Sequence, residues 1–193
     1  RIYILNGHPA SESLNRTLAE AYADAANKAG HDVRLTHIHD LNFDLDYGFA
    51  GYENQKPLEV SLEKVLDDIE WSEHVVITTP MWWGGLPAKL KGLFDRAFLP
   101  GRTFNTRETN WMGMPSPLLS GRTGRVIMTS DTPGWFMRLI YHNAMIRQLR
   151  DQILGFVGIK QARFTHFSGA SNPKRKSIEE WTRKVKDFGV SAA

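Results

Sequence analysis

Alternation is the feature that most narrows what this chain can become. Five β-rich runs, Ile2–Leu5, Val33–Ile38, Val75–Thr79, Arg125–Thr129 and Gln161–Phe164, are separated by segments of helical period. A chain that alternates strand and helix in this way closes most simply as an α/β fold. Its five-stranded parallel sheet then carries helices on both faces. Val75-Val76-Ile77 shows no polar alternation, as expected of a central strand buried on both sides. No repeat or linker-like stretch divides the 193 residues, so residues 1–193 are expected to form a single domain.

The helical stripes set the connections. Ser13 is placed to cap a first helix over about 14–29, with Leu14, Leu18, Ala21, Ala25 and Ala29 inward and Gly30 as its stop. A second helix is expected from about Pro57 to Trp71, with Leu58, Leu62, Val65, Leu66 and Ile69 inside. A third runs over about Pro87–Phe98, a fourth over about Trp135–Leu154, and a last over about Ser177–Phe188. Two connections, about 40–56 and 99–121, are longer than ordinary loops and are read as functional, mobile or paired with a partner chain.

Composition removes several chemistries. With no cysteine there is no disulfide, thiolate metal site, iron–sulfur cluster or cysteine nucleophile. No apolar run approaches the roughly 20 residues that span a bilayer, and residues 1–6 lack the apolar core of a signal peptide. A cytoplasmic location and no membrane insertion are expected. The formal net charge of +3 suits a solvated surface or a phosphorylated ligand, and no nucleic-acid module is recognisable. Lys174-Arg175-Lys176 precedes Glu179 and Glu180, which reads as the charged face of a terminal helix.

In an open parallel sheet, ligands bind beyond the carboxyl ends of the strands. Three such ends are unusual here. After the first strand, Asn6-Gly7-His8-Pro9-Ala10-Ser11-Glu12-Ser13-Leu14-Asn15 runs into a helix start, where unpaired backbone N–H groups favour a phosphate. The same residues could simply cap the helix. The run matches neither a Walker A loop nor G-x-G-x-x-G. After the third strand comes Thr79-Pro80-Met81-Trp82-Trp83-Gly84-Gly85-Leu86-Pro87. Adjacent tryptophans point opposite ways, so at least one is expected to line a cleft or an interface, beside glycines that admit a flat ligand. After the fourth strand, Thr129-Ser130-Asp131-Thr132-Pro133-Gly134-Trp135 offers small polar groups, a turn and an aromatic, which is also ordinary cap chemistry.

Other groupings say less. His37 and His39 alternate on a strand without a third metal ligand at useful spacing, so no metal is expected. Tyr141 and His142 could donate a proton or simply pack. Trp111, Met112 and Met114 could cover a pocket or meet a second chain. There is no Gly-x-Ser-x-Gly elbow of a hydrolase.

Taken together, Gly7-His8-Pro9, Ser13-Leu14-Asn15 and the nineteen-residue block from Pro80 through Ala88-Lys89-Leu90-Lys91-Gly92-Leu93-Phe94-Asp95-Arg96-Ala97-Phe98 resemble a known family. They resemble the NAD(P)H:quinone oxidoreductases of the flavodoxin-like superfamily, the group of DT-diaphorase and the bacterial modulators of drug activity. The resemblance implies a flavodoxin-like fold and a flavin, with His8, Ser13, Leu14 and Asn15 around its phosphate and ribityl chain. It places Pro80, Met81, Trp82, Trp83 and Gly84 on the loop against the isoalloxazine ring, and Thr129, Ser130, Asp131 and Thr132 on the other flavin-edge loop. Thr-Ser-Asp-Thr departs from the Thr-Thr-Gly-Gly turn of the vertebrate enzymes. Their catalytic tyrosine aligns near Phe136 or Met137, which leaves Tyr141 and His142 as positional candidates only.

The resemblance further implies a flavin cofactor; the chain lacks the long C-terminal extension of the vertebrate enzymes, which leaves FMN and FAD both open, and FMN is preferred with FAD as the alternative. NADPH or NADH would be the donor, a quinone or related small molecule the acceptor, and a homodimer the assembly. Hydride transfer would be ping-pong. Two other readings compete: a flavodoxin-type electron carrier, typically far more acidic than this chain, and a flavin-binding regulatory subunit of a transport system.

Overall fold

A computed structural model describes residues 1–48 and 56–192; residues 49–55 of the first long connection, and residue 193, lie outside the described residues. The main sheet has five parallel strands: β1 (Ile2–Asn6), β2 (Val33–His37), β3 (His74–Pro80), β6 (Thr123–Ser130) and β7 (Gln161–Ser168), in the order β2-β1-β3-β6-β7. The order reverses between β1 and β3, which opens a crevice at their carboxyl ends. There Asn6 pairs with His37 on one side and Thr78 on the other, while Pro80 pairs with Thr129.

Successive strand residues point to opposite faces, and two separate cores result. Tyr3, Leu5, Val75, Ile77 and Val126 pack against α2 (Val60–Trp71), α3 (Ala88–Ala97) and the helical segment that ends near Val157. Ile2, Ile4, Val76 and Ile127 pack against α1 (Leu14–Lys28) and α7 (Arg175–Ser191). Helices α1 and α7 approach closely because Gly189 lacks a side chain; a Cβ there would lie 2.5 Å from the Tyr22 carbonyl oxygen. At the end of α1, Gly30 has φ +89°. Its N–H reaches the Asn27 carbonyl and the His31 N–H reaches Ala26, which satisfies carbonyls that the helix would leave unpaired.

The helix α3 secures the connection after β2. Lys89 Nζ donates to the carbonyls of His39 and Leu41. Arg96 is fully buried, donates to the carbonyls of Asp44 and Pro57, and forms a two-pronged pair with Glu59. Burial alone would raise the Glu59 carboxyl. Hydrogen bonds from Asp44 N–H, its own N–H and Arg96 outweigh that, and it titrates below the usual range.

Two expectations need correction. The predicted helix over Trp135–Leu154 is not continuous: α4 (Gly134–Leu139) stops, and His142 and Asn143 adopt left-handed conformations with φ 48° and 52°. The chain then resumes as α5 (Ala144–Arg147), a π-helical turn (Gln148–Leu154) and α6 (Gly155–Val157). Periodicity could not reveal the break, because the apolar spacing continues across it. Gly155 accommodates the wide turn, since a Cβ would lie 2.8 Å from the Arg150 carbonyl oxygen. The connection over 99–121 is also not bare loop. It contains a two-stranded antiparallel sheet, β4 (Phe104–Thr109) with β5 (Pro115–Pro117), anchored by Phe104 edge-on to Phe156 at 5.1 Å. Trp111, Met112 and Met114 are exposed at its tip. The basic triplet falls at the start of α7, where Arg175 pairs with Glu179 one turn on.

Candidate active site

The crevice begins with Asn6, which is completely buried. Its Oδ1 accepts the His8 N–H and the Thr78 hydroxyl, and its Nδ2 faces His37 Nδ1 at 3.2 Å. One amide thus ties β1, β2, β3 and the following loop together. His8 Nδ1 accepts the Ala10 N–H at 3.1 Å, which leaves Nε2 as the protonated nitrogen, and burial lowers the ring's pKa. His39 Nδ1 lies 2.9 Å from the Pro9 carbonyl. His37 and His39 therefore brace the His8 loop.

Ser13 takes extended backbone and its Oγ accepts the Arg16 N–H at 3.1 Å, so the cap expected from sequence is present. That bond leaves its hydroxyl hydrogen uncommitted and uses the Arg16 N–H, so the N–H groups of Leu14 and Asn15 are the ones that open the helix. No acidic residue occupies the first turn of α1. Asn15 Nδ2 donates to Thr129 Oγ1 at 2.8 Å, and the buried Asn15 Oδ1 has no hydrogen-bond partner.

The bend after β3 is a tight hairpin turn. Trp82 and Gly85 exchange backbone hydrogen bonds of 3.0 and 2.9 Å, with Trp83 at φ 51° and Gly84 at φ 77° between them. Two positive φ values are what a primed turn requires, and a tryptophan there bears a steric cost of about 1–2 kcal/mol. The turn separates the two indoles. Trp82 meets the His8 ring edge-on at 5.5 Å, whereas Trp83 projects fully into solvent. A Cβ at Gly84 would meet nothing within 4 Å, so the backbone faces open space.

The loop after β6 is clamped to the end of β7. Ser130 Oγ lies 2.8 Å from His166 Nε2, Ser168 Oγ donates to the Thr132 carbonyl at 2.9 Å, and Asp131 accepts both the N–H and the hydroxyl of Ser171. The Ser171 hydroxyl and N–H hold the Asp131 carboxyl below its usual range. Sequence reasoning missed His166, Ser168 and Ser171. Strand alternation was the available signal, because His166 and Ser168 share one face of β7.

These three ends enclose one cleft of about 300 Å³ lined by His8, Glu12, Ser13, Leu14, Asn15, Pro80, Met81, Trp82, Thr129, Ser130, Asp131, Ala170 and Ser171. A second, of about 510 Å³, shares Met81, Ser130 and Asp131 with it and adds Trp83, Gly84, Thr132, Met137, Tyr141, Ala144 and Met145. The residues singled out from the sequence thus gather along two adjoining clefts. His142 is exposed and stands outside both linings. Phe136, one of the two aligned tyrosine places, packs edge-on to Tyr141 at 5.0 Å, and the other, Met137, lines the second cleft. The larger hollow, about 630 Å³ between α3 and the π-helical turn, shares no residue with either.

A parallel sheet with this strand order, and a cleft at its switch point that pairs a helix N-terminus with an aromatic turn, defines a flavodoxin-like domain. The chain belongs to the family described as having the flavodoxin-like fold, whose family model matches residues 1–188. It is 25% identical over 180 residues to an FMN-dependent NADH:quinone oxidoreductase of Nitratidesulfovibrio vulgaris (strain DP4), covering 84% of this chain and 82% of that protein. A ribosyldihydronicotinamide dehydrogenase-like protein traD of Penicillium crustosum is 25% identical over 119 residues, which span 52% of this chain but only 45% of that protein. The structure of an NAD(P)H:quinone oxidoreductase from Methanothermobacter marburgensis superposes with a TM-score of 0.80 at 22% identity, over 100% of this chain and 98% of that one. Among the described residues, no helix is long and apolar enough to cross a membrane.

Proposed function

We propose that this chain is a flavin-dependent oxidoreductase that passes two electrons from NADH or NADPH to a quinone or a similar small acceptor. The observation that carries the reading is the meeting of the Ser13 turn, the Trp82 bend and the Thr129–Thr132 loop along one cleft. A phosphate suits the donor set at the start of α1: a hydroxyl with its hydrogen uncommitted, opening N–H groups and no first-turn carboxylate. The unpartnered Asn15 amide oxygen is a further polar group at that wall. FMN is favoured over FAD because the Nitratidesulfovibrio relative is named as FMN-dependent.

FMN, when bound, supplies the hydride chemistry. The chain's own residues bind and orient. His8, Ser13, Leu14 and Asn15 hold the phosphate and ribityl end. Pro80, Met81, Trp82, Trp83 and Gly84 would border the ring, and Thr129, Ser130, Asp131 and Thr132 would form the other flavin-edge loop. The second cleft admits reductant and acceptor in turn, so kinetics are ping-pong. Orientation that brings reacting atoms to about 3–3.5 Å is the protein's main contribution. A homodimer would cover Trp83, Trp135, Leu139 and Ile140, which are all exposed.

The test is an anaerobic titration of the FMN-loaded protein with NADH and with NADPH, followed by a quinone. Bleaching by either nucleotide and recovery on quinone addition are expected. A flavin that stays oxidised would mark a carrier or a regulatory subunit instead.

A further inference from the structure

Reduction of a quinone needs a proton donor; His8, Ser13, Thr129 and Ser171 line only the first cleft and Thr132 and Tyr141 only the second, so the place where the two clefts join is the one to search. Met81, Ser130 and Asp131 are the residues lining both. Met81 has no exchangeable proton. Asp131 accepts two hydrogen bonds from Ser171 that stabilise its ionised form. Ser130 is the remaining proton-bearing side chain at the junction, and it is backed by a half-buried histidine from the neighbouring strand, with Oγ 2.8 Å from His166 Nε2.

Resting on the flavoenzyme reading above, we propose that Ser130 and His166 form the proton relay of this site: Ser130 is the catalytic hydroxyl and His166 the residue that orients and reloads it. Overall, NAD(P)H, a quinone and one proton would give NAD(P)+ and a hydroquinone, the cofactor supplying the hydride chemistry when bound, and the proton is what the chain's own residues must deliver to the second quinone oxygen. Ser130 gives its hydroxyl proton to that oxygen as Oγ takes the Nε2 proton of His166 and His166 Nδ1 takes a proton from solvent, so the ring passes from one neutral tautomer to the other. The nicotinamide is oxidised, the quinone becomes a hydroquinone, and one solvent proton is consumed. Ser130 has the geometry to switch. Its hydroxyl hydrogen can point to His166 or, while His166 donates to Oγ, turn away to the Thr132 carbonyl at 3.5 Å or to the cleft.

The FMN-loaded protein tests this by stopped flow, with the two half-reactions measured separately. Ser130→Ala should slow quinone reduction at least about tenfold more than it slows flavin reduction by NADH, and remove the solvent isotope effect on quinone reduction. Ser130→Thr should restore the rate, and His166→Phe, which leaves Ser130 in place, should match Ser130→Ala. Nitrogen NMR of the His166 ring provides a readout independent of turnover: FMN addition should shift the ring toward the Nε2–H tautomer in the wild type but not in Ser130→Ala. Wild-type quinone reduction in both Ser130→Ala and His166→Phe, after normal flavin reduction, would overturn the relay and leave the flavoenzyme reading intact. Failure to bind FMN, or to reduce it with NADH, would remove both.

Discussion

Asn15 Nδ2 donates a buried hydrogen bond to Thr129 Oγ1 at 2.8 Å, joining the first turn of α1 to the end of β6 across 114 positions of sequence. The bond locks two walls of the cleft at fixed separation. Asn15→Leu leaves the buried Thr129 hydroxyl without that partner. A loss of about 1–3 kcal/mol in urea denaturation is expected, with weaker FMN binding. Unchanged stability would show that the two walls are held by other contacts.

Ser13 serves two ends, and one substitution separates them. Ser13→Ala removes the Arg16 N–H acceptor, which should cost about 1 kcal/mol of stability by thermal melting. Its hydroxyl donor to the phosphate also goes, so the FMN dissociation constant should rise roughly tenfold, as loss of about 1.5 kcal/mol implies. A change in melting alone would reduce Ser13 to a cap.

The turn at Trp83 and Gly84 makes opposite predictions for adjacent residues. Trp83 is fully exposed at positive φ, so Trp83→Gly should be neutral or stabilising by up to about 1 kcal/mol. Gly84→Leu forces a branched side chain into φ 77° and into the open space beside the turn. It should destabilise by about 1 kcal/mol or more and abolish flavin loading, read from the absorbance of the purified protein. A fully loaded Gly84→Leu would displace the ring from this turn.

Arg96 makes a sharp stability prediction. Arg96→Met leaves the Glu59 carboxylate and the Asp44 and Pro57 carbonyls without their shared donor, which should cost about 3 kcal/mol in chemical denaturation. A loss below about 1 kcal/mol would mean water replaces the guanidinium.

His74 gives the pH dependence. Burial first, then the charges of Arg125 and Arg163, depress its pKa from 6.5 to about 4. Above pH 6.5 it is neutral folded or unfolded and contributes nothing. As pH falls from 6.5 toward about 4, the unfolded chain takes up a proton that the folded chain refuses, and stability drops by on the order of 3 kcal/mol. His74→Leu should flatten that part of the curve in urea midpoints at pH 7 and 4.5. Parallel curves would refute the assignment.

The fold was legible because strand and helix periods differ so clearly in this chain: Val75–Ile77 declare a buried strand, and Ser13 and Gly30 bracket α1. The cleft was legible because small polar or aromatic residues follow three strand ends. What escaped was set by backbone geometry and by distant partners. The left-handed pair His142–Asn143 interrupts a helical pattern whose apolar spacing persists, and the β4–β5 hairpin carries little strand alternation. Adjacency of the two tryptophans suggested divergence, but only the turn decides that Trp82 meets His8 while Trp83 faces solvent. His166 carried no local motif; its meaning comes from Ser130, 36 positions earlier.

An equilibrium titration of FMN against riboflavin reads the proposed grip most directly, because the two ligands differ only in the phosphate assigned to the Ser13 turn. FMN should bind at micromolar concentration or below, with riboflavin at least about thirtyfold weaker, a difference of about 2 kcal/mol. Equal affinities, or no binding of FMN, would contradict the cleft as a phosphate-anchored flavin site.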